Sequence, residues 1–300
     1  MVKYLFCILF FCFFIKPASS QVIVLGESDT FEETTNKEQL NKSSCKIMNL
    51  RGKVSSIKEI DYAVKQEFVA SFDQVAPSVT TGSNSFIFDT IGNLVEFYTY
   101  NSNGSFRSKE TYKYDLKNNR IENNSYSKKD KLTERTSLTY DSIGRLTQLN
   151  TYNSRGSLKE QSLSKFSNNG QFELRTTTDE HWLVTEKLEI IYNSKGEQTE
   201  ISKFSSKGKM SAKMNLIYNE FGNVSEKKMY SNKGVINEKF IFKYNNLKEL
   251  NEYGVFNENE TLIAHAAYVF YYDKNNNWIK KVSYFNGAPS AITYRTITYY

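Results

Sequence analysis

The sequence is poor in the residues on which most protein chemistry depends. Its 300 residues include 3 cysteines, 3 prolines and 2 histidines. Cys7 and Cys12 lie in an apolar stretch at the start, so Cys45 alone remains beyond it, and one cysteine makes no internal disulfide. His181 and His265 stand far apart, and neither has the spacing of a metal-ligand pair. No nucleophile elbow, phosphate-binding glycine loop or Cys–His arrangement is present. The sequence therefore gives no reason to expect a catalytic residue, a metal ion, a cofactor or an enzyme. The 39 basic and 33 acidic residues leave a formal charge of +6. These charges are interspersed, and without a basic block or a recognition helix no nucleic-acid partner is expected. The longest apolar run, Tyr4 to Ile15, is too short to cross a membrane as a helix.

What the chain does contain is aromatic residues, at 15% of the total, and they recur with a period. Phe88, Tyr114, Tyr140, Phe166, Tyr192, Tyr218 and Tyr244 follow one another at 26-residue steps, and Tyr272 comes 28 residues later. A second aromatic falls 12 residues after the first, at Tyr100, Tyr126, Tyr152, Phe204, Tyr230, Phe256 and Tyr284; Thr178 breaks the series. Each aromatic except Tyr284 is followed by Asn, Asp or Ser, two further residues and often glycine, as in Asp89 to Gly92 or Asn219 to Gly222. That is the chemistry of a type I turn closed by a left-handed glycine. Between turns lie strand-length stretches rich in Thr, Tyr, Ile and Val. Each unit is thus a β-hairpin.

The expected fold class is all-β: one long antiparallel meander of about eight to nine hairpins, forming a twisted or curled open sheet. Because all these aromatics have even numbers, they are expected to share one face. The turn geometry sets Tyr100 opposite Phe106, Tyr126 opposite Leu132, Tyr152 opposite Leu158, Phe204 opposite Met210 and Tyr230 opposite Ile236, pairs worth about 0.2–1 kcal/mol each. Lys109, Arg135, Gln161, Lys187, Lys213, Lys239 and His265 form a column expected on the other, more polar face. The two turn offsets differ, so the ladder slips by about one residue per strand and the sheet should coil.

Residues 1–20 read as a signal peptide, with Lys3, an apolar core and Ala18-Ser19-Ser20 before Gln21, which predicts export to periplasm, cell surface or medium. Residues 21–50 read as a flexible N-terminal segment, with Cys45 a free thiol in it. Residues 51–300 are the repeat domain, its first strand over Gly52 to Tyr62, followed by a longer connection from Ala63 to Ser85.

Two features are candidates for binding. Trp182 stands where the turn glycine is expected, either as an exposed ring in a ligand site or as a decayed repeat. Glu96, Glu122, Glu200, Glu226 and Glu252 occupy equivalent positions. They could bind sugar hydroxyls, or each could pair with a neighbouring Lys or Tyr. Lying two strands apart, about 9–10 Å, they do not share one metal ion. The candidate ligand surface is Trp182, Glu200, Glu226, Tyr192 and Tyr218. Trp278 is expected in the core.

Phe88-Asp89-Thr90-Ile91-Gly92-Asn93, Tyr140-Asp141-Ser142-Ile143-Gly144-Arg145 and Tyr218-Asn219-Glu220-Phe221-Gly222-Asn223 resemble the YD repeats of the RHS family. From Gly52 to Tyr300 the chain resembles small secreted YD-like proteins of Bacteroidota. Family members form β shells around a toxin or bind carbohydrate. No toxin-like domain follows here, so the resemblance implies a fold and no catalytic residue. The expected function is an exported, non-enzymatic binding or scaffold surface at the cell envelope, with an envelope glycan or another envelope protein as partner. An outer-membrane β-barrel is the alternative, against which the glutamate column on a lipid-facing wall counts. A glycan hydrolase acting through that column is the third.

Overall fold

The computed structural model describes residues 43–64 and 77–300. The expected signal peptide (1–20), residues 21–42 of the expected flexible segment and residues 65–76 of the connection lie outside the described residues. A short helix α1 (Ser44–Ile47) is followed by β1 (Val54–Val64), β2 (Pro77–Phe88), β3 (Leu94–Asn101), β4 (Phe106–Tyr114), β5 (Arg120–Tyr126) and β6 (Leu132–Tyr140). Then come β7 (Leu146–Asn153), β8 (Leu158–Phe166), β9 (Phe172–Asp179), β10 (Val184–Tyr192), β11 (Gln198–Ser205) and β12 (Met210–Tyr218). The chain ends with β13 (Val224–Tyr230), β14 (Ile236–Tyr244), β15 (Leu250–Asn257), β16 (Leu262–Tyr272), β17 (Trp278–Phe285) and β18 (Ala288–Tyr299).

The repeat is built on its turns. In most of them the Asp or Asn after the first aromatic accepts two backbone N–H bonds with one side-chain oxygen. Asp89 Oδ1 takes those of Ile91 (3.0 Å) and Asn93 (2.8 Å), and Asn219 Oδ1 those of Phe221 and Asn223 (both 3.0 Å). Asp115, Asp141, Asn193, Asn245 and Asp273 do the same. The side chain thus satisfies donors that the tight turn leaves without ladder partners.

The sheet is closed, which overturns the expected open sheet. Every strand pairs antiparallel with the next, and β1 pairs with both β2 and β18, so eighteen strands form one barrel. The physical cause is the slip of the ladder. Ile190 faces Ile201, which faces Met214, so two strands advance the register by 24 residues (214 − 190) against a 26-residue repeat. A slip of two residues per hairpin tilts the strands by roughly 35° at a 3.3 Å rise and 4.8 Å spacing, a tilt at which barrels close.

The two aromatic columns do not share a face. One residue inside most turns the register shifts, as between Ile191/Tyr192 and Lys203/Phe204; the β8–β9 pair is the exception. Each bulge exchanges odd and even positions between neighbouring strands. Inside the barrel lie even residues of β10 and β12 (Leu188, Ile190, Met214, Leu216) but odd residues of β11 (Ile201), all buried. The first aromatics therefore point inward, as Phe88, Tyr192, Tyr218 and Tyr244 do in the core clusters. The second aromatics lie on the outer wall beside the glutamates. There the expected pairs Tyr100–Phe106, Tyr126–Leu132, Tyr152–Leu158, Phe204–Met210 and Tyr230–Ile236 all occur.

Two further expectations are corrected. The connection from Ala63 to Ser85 holds most of a full strand, β2 from Pro77. At the end of the segment expected to be flexible, residues 43–50 are packed, with Cys45 and Leu50 in a core cluster with Phe88 and Leu94.

Candidate functional site: the barrel interior and its two rims

The inward positions form two rows around the barrel, and one of them changes character along the chain. On β10, β12 and β14 they are apolar: Leu188, Met214 and Phe240, then Ile190, Leu216 and Phe242, all buried. At the matching positions of β2, β4, β6 and β8 the first row is polar, with Asn84, Glu110, Thr136 and Ser162, whereas the second holds buried Phe86, Tyr112 and Leu138 with Ser164. In the first row the period that repeats the fold does not repeat the chemistry.

Charges are buried at the closing seam and on β9, and also at Lys227 on β13 and Glu197 in the β10–β11 turn. At the closing seam, Arg295 Nε donates to Glu59 Oε1 at 2.6 Å, with both side chains only 6% exposed. Beside them Thr293 donates to Asp61 (2.7 Å), and the Arg295 guanidinium lies 3.4 Å from the centroid of Trp278. Trp278 is buried, as expected from its column. Lys281 sits 5.3 Å from the same ring. On β9, Glu173 is 1% exposed and accepts bonds from Arg175 (2.6 Å), Ser164 (2.6 Å) and Tyr192 (2.5 Å). Such pairs replace lost hydration only when their remaining hydrogen-bond sites are filled, as Ser164 and Tyr192 do for Glu173.

The two rims differ. At the rim of the first-aromatic turns, the tyrosine hydroxyls reach one repeat back: Tyr140 to Arg120 O, Tyr218 to Gln198 O and Tyr244 to Val224 O, each at 2.8 Å. Residues 43–51 lie against this rim. Cys45 N bonds to Gly92 O (2.9 Å) in the β2–β3 turn, and Leu94 N to Ser44 Oγ (2.9 Å). Asn49 donates to Leu247 O (2.7 Å) and to Glu249 Oε1 (2.8 Å) in the β14–β15 turn. Arg51 donates to Leu247 O (2.9 Å) and Asn276 O (2.7 Å). Asn277 closes the set by donating to Arg51 O (2.7 Å) and to Tyr299 Oη (2.8 Å). Burial pushes the Cys45 thiol up to about 12, and nearby Asp89 adds to the shift. Burial also raises Glu249, against the pull of Arg295, Asn49, Arg51 and Lys281. The opposite rim carries the second-aromatic turns, where a Cβ added at Gly104, Gly156, Gly208, Gly234 or Gly287 would meet no atom within 4 Å.

The structure separates the five residues of the candidate ligand surface. Trp182 is 62% exposed on the second-aromatic rim, in a left-handed conformation (φ 62°) that a glycine would adopt more readily. Tyr192 and Tyr218 are inside at the other rim. Glu200 and Glu226 are on the outer wall, bonded to Lys213 (2.7 Å) and Lys228 (2.8 Å). Glu122 pairs with Lys113 (2.7 Å), and Glu252 with Lys243 (2.9 Å) and His265 (3.2 Å). The basic column expected on the opposite face shares this wall: Lys109, Arg135 and Lys239 lie 5.0, 4.6 and 5.3 Å from the rings of Tyr126, Tyr152 and Phe256. Among the described residues no three His, Cys, Asp or Glu side chains stand together as a metal site.

Sequence reasoning missed the interior charges, although a signal existed. Arg175 and Lys227 interrupt a 26-residue column of Phe97, Asn123, Leu149, Ile201 and Tyr253. Glu173 is the one charge in the column of Val95, Ile121, Thr147, Thr199, Ser225 and Asn251.

No family model matches the chain, and no curated protein matches it. The resemblance to YD repeats is thus without family support. Among solved structures, a porin-like protein from Bacteroides uniformis is similar at 10% identity, over 82% of this chain and 98% of that one, with a TM-score of 0.45. A porin-like protein from Bacteroides vulgatus aligns at 11% identity over 83% of this chain and 99% of that one, with a TM-score of 0.32. The TcdB2-TccC3 structure aligns at 12% identity over 79% of this chain and 15% of that one, with a TM-score of 0.23. Two of the three thus come from Bacteroides species. No helix among the described residues is long and apolar enough to cross a membrane, which leaves open crossing by strands.

Proposed function

We propose that the chain is an exported β-barrel of the bacterial envelope that works through its interior and performs no catalysis. The observation that carries this reading is closure: β18 returns to β1, so one face of the sheet is turned inward. In this respect the barrel reading replaces the open scaffold surface. Its partner is a polyhydroxylated solute such as an envelope glycan. Asn84, Thr136 and Ser162, half-buried on the inward face, offer amide and hydroxyl groups, and Glu110 a carboxylate. Export uses the leader at 1–20, cut near Ser20/Gln21.

In its outer-membrane form the wall crosses the bilayer. Most strands have 7 to 9 residues and tilt at roughly 35°, and Tyr100, Tyr126, Tyr152, Phe204, Tyr230 and Phe256 form an aromatic girdle at one rim. One observation favours a second form, the same barrel standing in water. The outer wall carries Lys113–Glu122, Lys213–Glu200 and Lys243–Glu252 within the strands, and Lys213, near the middle of β12, would cost roughly 2–4 kcal/mol at the bilayer midplane.

Fractionation of cells expressing the full chain, with and without detergent, separates the two forms. Release by detergent alone from the outer membrane selects the first; a β-rich protein soluble in buffer selects the second. Small-angle scattering tests closure itself. An open sheet of eighteen strands would extend about 86 Å at 4.8 Å per strand, so a particle of that length would refute the barrel. Titration with envelope oligosaccharides tests the partner, and a blank titration against the folded barrel would count against it.

A further inference from the structure

We infer that the barrel is blind-ended: residues 43–51 stopper the rim of the first-aromatic turns, so a solute enters and leaves the interior only through the rim that carries Trp182. This inference rests on the reading of the interior as the working compartment.

The argument is one of reach. The β2–β3 and β14–β15 turns are separated, by the short way round, by six strands: β15, β16, β17, β18, β1 and β2. At about 4.8 Å per strand that is roughly 29 Å of wall. Yet Cys45 holds the first turn through Gly92 O and Asn49 holds the second through Leu247 O. Four mostly helical residues span about 6 Å. Even with an asparagine side chain and two hydrogen bonds added, the bridge covers roughly half the arc. A round rim does not permit this, so the rim is drawn in around the segment.

The contacts are those of a seated element. Cys45 and Leu50 are buried against Phe88 and Leu94. Ser44 Oγ meets a backbone N–H, and Arg51 spans two turns through two carbonyls. The gap is narrowed further by inward aromatics, whose hydroxyls are tied to neighbouring strands. The second-aromatic rim has no matching convergence among the described residues: its glycines face open space, whereas Gly92, Gly144 and Gly222 have side-chain neighbours.

Cys45 reports on the seat. In the folded full chain, alkylation by iodoacetamide, read at the Cys45 peptide by mass spectrometry, should be at least 100-fold slower than in the urea-unfolded chain. The Asn49→Ala/Arg51→Ala pair should raise the native rate about tenfold or more, since each lost set of bonds is worth roughly a factor of ten, with the β circular dichroism retained. Should that pair fail to fold, Arg51→Lys keeps the charge but loses the two-carbonyl fork, and should give the same direction of change. In planar bilayers the wild-type chain should show no steady conductance and the Asn49→Ala/Arg51→Ala variant should show open steps. Native Cys45 alkylation as fast as in urea, or a steadily open wild-type channel, would overturn the stopper. A chain that never enters a bilayer removes only the outer-membrane form of the proposed function, and the alkylation arm still decides the inference.

Discussion

The closing seam offers a direct test of the barrel. Glu59 and Arg295 are 236 residues apart, meet at 2.6 Å and are each 6% exposed at the side chain. Replacing Arg295 with Met keeps packing over Trp278 but leaves a buried carboxylate without its partner. Breaking such a pair costs about 3–5 kcal/mol. Replacing Glu59 with Leu should cost a comparable amount. The double variant Glu59→Leu/Arg295→Met removes both charges and leaves Asp61 and Lys281, opposite in sign, at the seam. It should recover to within about 1 kcal/mol of the wild type or exceed it, because well-packed apolar replacements of buried pairs are often neutral or stabilising. Urea unfolding followed by tryptophan fluorescence is a suitable assay, since the Arg295 guanidinium lies 3.4 Å from the Trp278 centroid. In an open sheet β1 and β18 would be remote solvated edges. Each single substitution would then cost under about 1 kcal/mol and the two would add. That additive, shallow result would refute the closed seam.

Three other outcomes follow from the geometry. Trp182→Gly should stabilise the chain by about 1 kcal/mol in thermal or urea melts, because the left-handed turn position costs a non-glycine residue about 1–2 kcal/mol and the exposed ring packs little. Leu216→Ala, inside, should cost about 2–5 kcal/mol, whereas Ile217→Ala, outside and 51% exposed, should cost under about 1 kcal/mol; equal losses would refute the assignment of faces. Asp115 is partly opposed by burial, but bonds from Asn119 and Lys117 hold its carboxyl below the usual range. The unfolded chain therefore binds its proton more readily, and the stability due to this group is present above about pH 4 and lost as pH falls through the folded value. Asp115→Asn keeps the accepting oxygen, as Asn193 and Asn219 do in their turns, and should flatten the acid limb of stability against pH; an unchanged limb would show that the turn carboxylate is not responsible.

The hairpins were legible because their cause is local. Asp or Asn after an aromatic, with glycine three residues later, sets each turn through side-chain bonds to its own backbone. The cross-strand pairs at the second turns followed from that offset, and Tyr100 does face Phe106. The faces did not follow, because a bulge one residue inside most turns exchanges odd for even without leaving a mark in the period. Of the candidate site, Trp182 was correctly singled out as standing in a glycine position. Its grouping with Glu200, Glu226, Tyr192 and Tyr218 failed, since these residues lie on different surfaces.

By itself, then, the sequence determined the number and kind of hairpins, the turn chemistry and the direction of the register slip, because each depends on residues within one 26-residue unit. Tertiary structure alone decided closure, the sidedness of the aromatics and the seat of residues 43–51. Those depend on contacts such as Glu59 with Arg295 and Asn49 with Leu247, in which residues roughly two hundred or more positions apart meet only after the slips of nine hairpins have summed around the barrel.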